Sequence, residues 1–231
     1  MNGVVALQGL WVKTVTRRLP EPAGEPSGSV PGTLPALRIA VTGESTAAGC
    51  GVGRHDEGFA AAFAREVAAR TGQAVDWTAT GRYGATAVQI RQDLLPTETD
   101  LNMVVVLAGV NDVLTRRRPE QWREDLSALV GDLAGRTTRI VVTGIPPFTL
   151  FPALPSRLAH YLADRAALLD NVSTQVCRGR AMFVRSEFDE VPDGFFAADS
   201  FHPSAAGYRQ WAAMVAAEVH GEAFRYGRRT V

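Results

Sequence analysis

From Arg38 onward, short apolar runs alternate with amphipathic stretches of helical period, and this alternation restricts the chain more than any other feature. The runs LRIAVTG, AVDWTATG, MVVVLAG, RIVVTGIPP and AMFV read as five strands. MVVVLAG is apolar at consecutive positions, as expected of a strand covered on both faces inside a parallel sheet. Between the runs, GFAAAFAREVAARTG sets Phe59, Phe63 and Val67 four apart and stops at Gly72, the pattern of an amphipathic helix with a glycine stop. PEQWREDLSALVGDLAG opens on Pro119 as a second helix, a long helix is predicted from about Ser156 to Arg178, and PSAAGYRQWAAMVAAEV closes the domain as another. Right-handed crossovers return each strand to the same direction, so the fold class is α/β, with a parallel sheet of about five strands flanked by helices.

Length and charge narrow the partners. A chain of 231 residues suits one domain. Its 24 basic residues balance 24 acidic ones, so no net field draws it to nucleic acid or an anionic membrane, and a small-molecule partner is expected. Residues 19–35, LPEPAGEPSGSVPGTLP, are too rich in Pro, Gly and Ser for a helix or a central strand. They divide the chain into an N-terminal arm and connector (1–36), a domain (37–220) and a basic tail (221–231). The arm holds Leu7, Leu10 and Trp11, and the tail reads as solvated. The apolar stretch VVALQGLWV is far shorter than the roughly twenty residues of a membrane helix, and neither a basic segment before it nor a cleavage site after it suggests a leader. A cytoplasmic protein is the expectation, with secretion open if the start lies elsewhere. Two cysteines, Cys50 and Cys177, form no C-x-x-C and read as free packing thiols. The four histidines do not cluster, so neither a metal nor a cofactor is expected. GCGVG lies at the wrong distance from the first strand for a dinucleotide fingerprint, and oligomeric state is not readable.

Ligands of open parallel sheets bind at the carboxyl ends of the strands, which turns the strand endings into candidates. The first ends in TGESTAAG, the second in TGRYG, the third in AGVNDV, and DSFHP follows the fifth. A serine hydroxyl attacks a carbonyl only when a base takes its proton, and that imidazole needs an acceptor to fix its tautomer. Ser45, His202 and Asp199 fill these roles. The developing oxyanion needs donors, for which the backbone N–H of Ser45 and of Gly81 and the side-chain amide of Asn111 are the candidates. At Gly81 the missing side chain is expected to let substrate approach. Singly, each residue has a plainer use: Ser45 as a helix cap, Gly81 as a turn, Asn111–Asp112 as a capped loop, Asp199 at a helix start with Pro203 in its first position. Four complementary motifs at one sheet edge favour the joint reading.

In this order, GES, Gly81, GVND and DSFH resemble the blocks of the SGNH hydrolases, also called GDSL esterases and lipases, over roughly residues 37–220. The resemblance implies a three-layer, flavodoxin-like sandwich. It implies Ser45 as nucleophile, Gly81 and Asn111 completing the oxyanion hole, His202 as base and Asp199 as its orienter. Glu44 stands where the family has aspartate, and its longer side chain is expected to change the hydrogen bonds that hold the turn. The expected activity is hydrolysis of carboxylic esters with short to medium acyl chains. Lysophospholipase, thioesterase and carbohydrate deacetylase activities stay open, as do transfer to an alcohol acceptor and a catalytically silent binding module. An acyl pocket is expected from Phe148, Leu150, Phe151, Leu154 and Phe195, with Phe196 shielding the triad beside Phe195; burial of the same loop against the next helix is the alternative.

Overall fold

The computed structural model describes Gln8, residues 19–188 and residues 191–226, with the backbone alone for 221–226. The arm residues Leu7, Leu10 and Trp11 and the side chains of the basic tail lie outside the described residues. The strands are β1 (Ser27–Val30), β2 (Thr33–Gly43), β3 (Gln73–Gly81), β4 (Met103–Leu107), β5 (Ile140–Thr143) and β6 (Met182–Val184). The α-helices are α1 (Phe59–Thr71), α2 (Ala87–Asp93), α3 (Val110–Leu114), α4 (Pro119–Leu133), α5 (Ser156–Cys177) and α6 (Ala205–Tyr226). The sheet runs β1-β3-β2-β4-β5-β6, parallel throughout except for the β1–β3 pair.

The five parallel strands are those read from the apolar runs. The sixth comes from the connector, whose SGSV segment pairs antiparallel with β3 at the edge of the sheet. Edge placement is the one position its composition allows, because an edge strand needs only half of its backbone groups paired. β2 starts at Thr33, so the boundary drawn at residue 37 falls within a strand.

β4 shows how the sequence makes three layers. Val104 and Val106 face one core with α2, α4 and α5, while Met103, Val105 and Leu107 face the other with α1 and α6. Alternate residues of a strand point to opposite faces, so a run apolar at every position must be covered twice. α1 ends at Gly72 with φ +73, a left-handed stop, and α4 begins with Pro at its first position. Burying Trp122 between α4 and α5 leaves its indole N–H without water, and Ser173 Oγ accepts it at 2.9 Å.

Without β1, the parallel strands run β3-β2-β4-β5-β6, the flavodoxin-like order in which the chain leaves the first strand to one side and later returns on the other. The crevice between the carboxyl ends of β2 and β4 is the switch point where such sheets bind ligands. Ser45 follows β2 there, and Asn111 follows β4.

Candidate active site

Beyond Gly43 the chain turns at once. Glu44 C=O accepts from the N–H groups of Ala47 (3.0 Å) and Ala48 (3.1 Å), and Ser45 C=O accepts from Cys50 N–H (2.9 Å). This tight turn lifts the Ser45 side chain off the sheet edge. It also explains Gly81: a Cβ there would lie 2.2 Å from the Ala48 nitrogen and 2.8 Å from Glu44 O. The missing side chain therefore admits the turn that bears Ser45, and not the substrate as the sequence suggested.

Across the crevice, Ser200 sits at φ +57 between Asp199 and Phe201. That left-handed residue folds the loop so that Asp199 Oδ1 accepts from the backbone N–H groups of Phe201 (3.0 Å) and His202 (2.9 Å). Asp199 Oδ2 lies 2.6 Å from His202 Nδ1, and His202 Nε2 lies 3.0 Å from Ser45 Oγ. All three side chains are buried. Burial raises the Asp199 pKa, but the hydrogen bonds from the His202 ring and from the His202 and Phe201 backbones outweigh it and hold the carboxyl below its ordinary value. The proton of Nδ1 is thus directed at a carboxylate, which leaves Nε2 to accept from the serine hydroxyl.

The sequence expected Pro203 in the first turn of the last helix. Instead Pro203 bridges to Phe196, and α6 begins two residues later. Ser204 caps it, its Oγ accepting from Ala206 N–H (3.1 Å) and Gly207 N–H (3.3 Å). Serine can accept these orphan N–H groups and proline cannot. Tyr208, on the first turn of α6, donates to Cys50 C=O at 2.6 Å and so ties the histidine's helix to the serine's turn.

Glu44 reaches from the turn to the end of β4. Its Oε2 accepts from Asn111 Nδ2 (2.6 Å) and Asn111 N–H (3.1 Å), and its Oε1 accepts from Val110 N–H (3.3 Å). Asn111 Nδ2 also donates to Ala85 C=O (3.1 Å), so both of its hydrogens have protein acceptors. Asp112 faces away, and its Oδ2 accepts from Ala87 N–H at the start of α2 (3.1 Å). Glu44, Asn111 and Asp112 together pin the β3–α2 loop, through Ala85 and Ala87, to the end of β4. Burial pushes the Glu44 carboxyl up to about 8, the Asn111 backbone N–H opposing it and the nearby Asp112 charge adding to it. Burial likewise raises Asp112 to about 6.

A cavity opens beside Ser45 and His202. Leu150, Phe151 and Phe195 line it, as does Phe196, whereas Phe148 and Leu154 are packed in the core and do not reach it. Phe148 is the inner residue of a 3-10 turn whose Leu150 faces the cavity, so the loop splits between the two expected uses. Sequence reasoning missed Phe201, Val110 and Pro147, which also line the cavity. Phe201 lies inside the DSFH block itself, and its place between Asp199 and His202 was the available signal. Tyr83, two residues past Gly81, also went unremarked; its ring lies 5.7 Å from that of His202 and is 54% exposed.

A flavodoxin-like sheet with Ser45, His202 and Asp199 in hydrogen-bonded series at its switch point defines a chain of the SGNH hydrolase class. Residues 41–210 match the GDSL-like Lipase/Acylhydrolase family, and the chain belongs to that family. It is 24% identical over 182 residues to the GDSL-like esterase Rv1075c of Mycobacterium tuberculosis, covering 74% of this chain and 58% of the relative. The chain therefore spans less than two thirds of that relative's length. Among solved structures, an alpha/beta hydrolase enzyme from the metagenome of Lake Arreo, Spain, has a TM-score of 0.61 at 19% identity, covering 80% of this chain and 96% of that one. An acetylxylan esterase, Axe2 from Geobacillus stearothermophilus, has a TM-score of 0.58 at 17% identity, covering 80% and 94%. At these identities the likeness speaks for the fold.

Proposed function

We propose that this chain is a serine esterase that hydrolyses carboxylic esters through an acyl-enzyme on Ser45. The observation that carries the reading is the unbroken series from Asp199 Oδ2 through the His202 ring to Ser45 Oγ, at 2.6 and 3.0 Å, beside an apolar cavity. His202 Nε2 takes the Ser45 proton as Oγ attacks the ester carbonyl, and Asp199 stabilises the imidazolium that forms. The carbonyl oxygen becomes an oxyanion held by the N–H of Ser45 and by the Asn111 amide. Asn111 reaches it by sharing or releasing one of its two present acceptors. The Gly81 N–H, which alternates with the Arg82 N–H that donates to Gly43 C=O, points away from β2 and is not a donor here. His202 then protonates the leaving alcohol, and a water deprotonated by the same ring releases the acid and restores Ser45.

Family membership supports ester hydrolysis in general, and the acetylxylan esterase among the structural neighbours adds acetyl esters to the substrates for testing. The test is initial-rate hydrolysis of p-nitrophenyl esters by wild type and Ser45→Ala. Activity that vanishes in the variant is the expected result, and equal rates in both proteins overturn the reading. Adding an acceptor alcohol separates hydrolysis from transfer: hydrolysis predicts that the free acid remains the main product.

A further inference from the structure

With Ser45 N–H and the Asn111 amide as its donors, the oxyanion hole depends on what holds that amide. Asn111 Nδ2 has two hydrogens, and both are taken: one by Glu44 Oε2 at 2.6 Å, the other by Ala85 C=O at 3.1 Å. An oxyanion has to replace one of these acceptors, and the longer contact is the one that yields more readily. Glu44 is then the fixed point. Its Oε2 also accepts from Asn111 N–H (3.1 Å) and its Oε1 from Val110 N–H (3.3 Å), so it grips Asn111 by backbone and side chain together. With the Ala85 contact exchanged, the oxyanion lies one hydrogen bond beyond Nδ2, within about 6 Å of Glu44 Oε2.

At that separation the charge on Glu44 matters. Two carboxyls, Glu44 and Asp112, are buried around Asn111, at 3% and 0% exposure. Neither forms an ion pair among the described residues. Arg117, whose charge reaches Asp112, is paired with Asp125. Two uncompensated anions are poorly tolerated in such a space, and burial with the Asp112 charge pushes the Glu44 carboxyl up to about 8. A neutral carboxyl still accepts from Asn111 through Oε2, and it puts no charge behind the oxyanion. A carboxylate opposes it: a unit charge at about 6 Å, with an effective dielectric constant of about 20, disfavours an oxyanion by about a hundredfold.

We propose that Glu44 is the positioning residue of the oxyanion hole, a neutral acceptor that fixes Asn111, and that its ionisation slows ester hydrolysis. The proposal rests on the Ser45 acyl-enzyme reading. The groups around Glu44 titrate outside its range. Asp199, in the loop before α6, is held low, and Asp112 on α3 is raised to about 6, so both ionise before it. Cys50 in the nucleophile's turn is pushed up to about 11, and Tyr208 on α6 is raised well above its ordinary value, so both stay neutral when Glu44 ionises. His202, across the cavity, has to be unprotonated to accept from Ser45, so its protonation gives the acid limb of the rate profile. Glu44 gives the alkaline limb, near pH 8.

The test measures kcat and KM for p-nitrophenyl acetate from about pH 6 to about pH 9.5, with the folded fraction followed by circular dichroism at each pH. The proteins are wild type, Glu44→Gln, Glu44→Ala, Asn111→Ala, the double variant of Glu44→Ala with Asn111→Ala, and Ser45→Ala. Wild-type kcat is expected to fall by about tenfold or more across pH 8 with KM unchanged, because the charge opposes a species formed only after binding. Glu44→Gln keeps an acceptor oxygen and does not titrate, so it is expected to lack this fall. Glu44→Ala is expected to lose kcat at every pH, and to add no further loss to Asn111→Ala. A wild-type profile that stays flat through pH 8 overturns the proposal whatever the variants do. So does a folded Glu44→Gln that shows the same fall, or a Glu44→Ala loss as large without Asn111 as with it. Ser45→Ala that hydrolyses like wild type overturns the acyl-enzyme reading as well, whereas an inert Ser45→Ala confines any failure to Glu44.

Discussion

Replacing Glu44 with glutamine separates the shape of this side chain from its charge. Glu44 is almost wholly buried, and burial pushes its carboxyl from 4.5 to about 8 even though three N–H contacts favour the ion. The native state therefore holds this proton more tightly than the unfolded chain does. As pH rises above 4.5 the unfolded state ionises first, and the native state is progressively penalised until about pH 8, where the penalty is complete. At about 1.4 kcal/mol per pH unit the whole displacement is worth about 5 kcal/mol, of which about 2 kcal/mol falls between about pH 6.5 and 8. Asp112 and Asp170, both raised to about 6 chiefly by burial, have largely titrated below that window. Glutamine keeps the shape and one acceptor oxygen but does not titrate. Urea denaturation across the window is expected to show wild type losing about 2 kcal/mol that Glu44→Gln does not lose. Parallel curves would refute the reasoning. A variant less stable than wild type by the same amount at every pH would show that the carboxylate's role as acceptor, and not its desolvation, governs the site.

Four further outcomes are expected. Asn111→Ala removes one oxyanion donor and should cost about 2.7–4 kcal/mol of transition-state stabilisation, read as kcat/KM; a rate within threefold of wild type, with the fold intact, would reject the assigned role. Asp199→Asn removes the acceptor that sets the His202 tautomer and should lower kcat on the order of 10⁴-fold, and a loss below tenfold would contradict it. Gly81→Ala places a Cβ 2.2 Å from the Ala48 nitrogen and should both destabilise the fold by about 1–3 kcal/mol and reduce kcat, whereas a variant with unaltered melting and rate would show that the turn accommodates it. Ser173→Ala leaves the buried Trp122 indole N–H without its acceptor and should cost about 1–3 kcal/mol in denaturation without changing KM; no loss would show that another acceptor replaces it.

The parallel strands were legible because burial on both faces writes itself into consecutive positions, as in MVVVL. The catalytic candidates were legible because strand ends and short polar motifs coincide, so TGES, GVND and DSFH could be placed at one edge before any geometry was known. β1 was less so. An edge strand half in solvent needs no apolar run, and SGSV carries a connector's composition while still pairing with β3. The start of α6 went astray because both Pro203 and Ser204 suit a helix start, and only the backbone path shows which one takes it. The cavity wall was the least legible part. Phe148 and Phe151 stand three apart in one loop, yet the first is core and the second faces the cavity, a division set by packing against α5 and the DSFH loop. Glu44 drew notice as a departure from the family pattern, but its grip on Asn111 depends on β2 and β4 being neighbours, which no local motif states.

The central claim is that Ser45 Oγ becomes covalently bonded to the acyl carbon, and the most direct measurement is the intact mass of the protein after reaction with a fluorophosphonate that mimics the tetrahedral intermediate. The account predicts a single adduct, mapped to Ser45 by peptide sequencing, formed in step with the loss of ester hydrolysis and absent from both Ser45→Ala and His202→Ala. Complete labelling elsewhere, or ester hydrolysis that persists when Ser45 is fully modified, would contradict it.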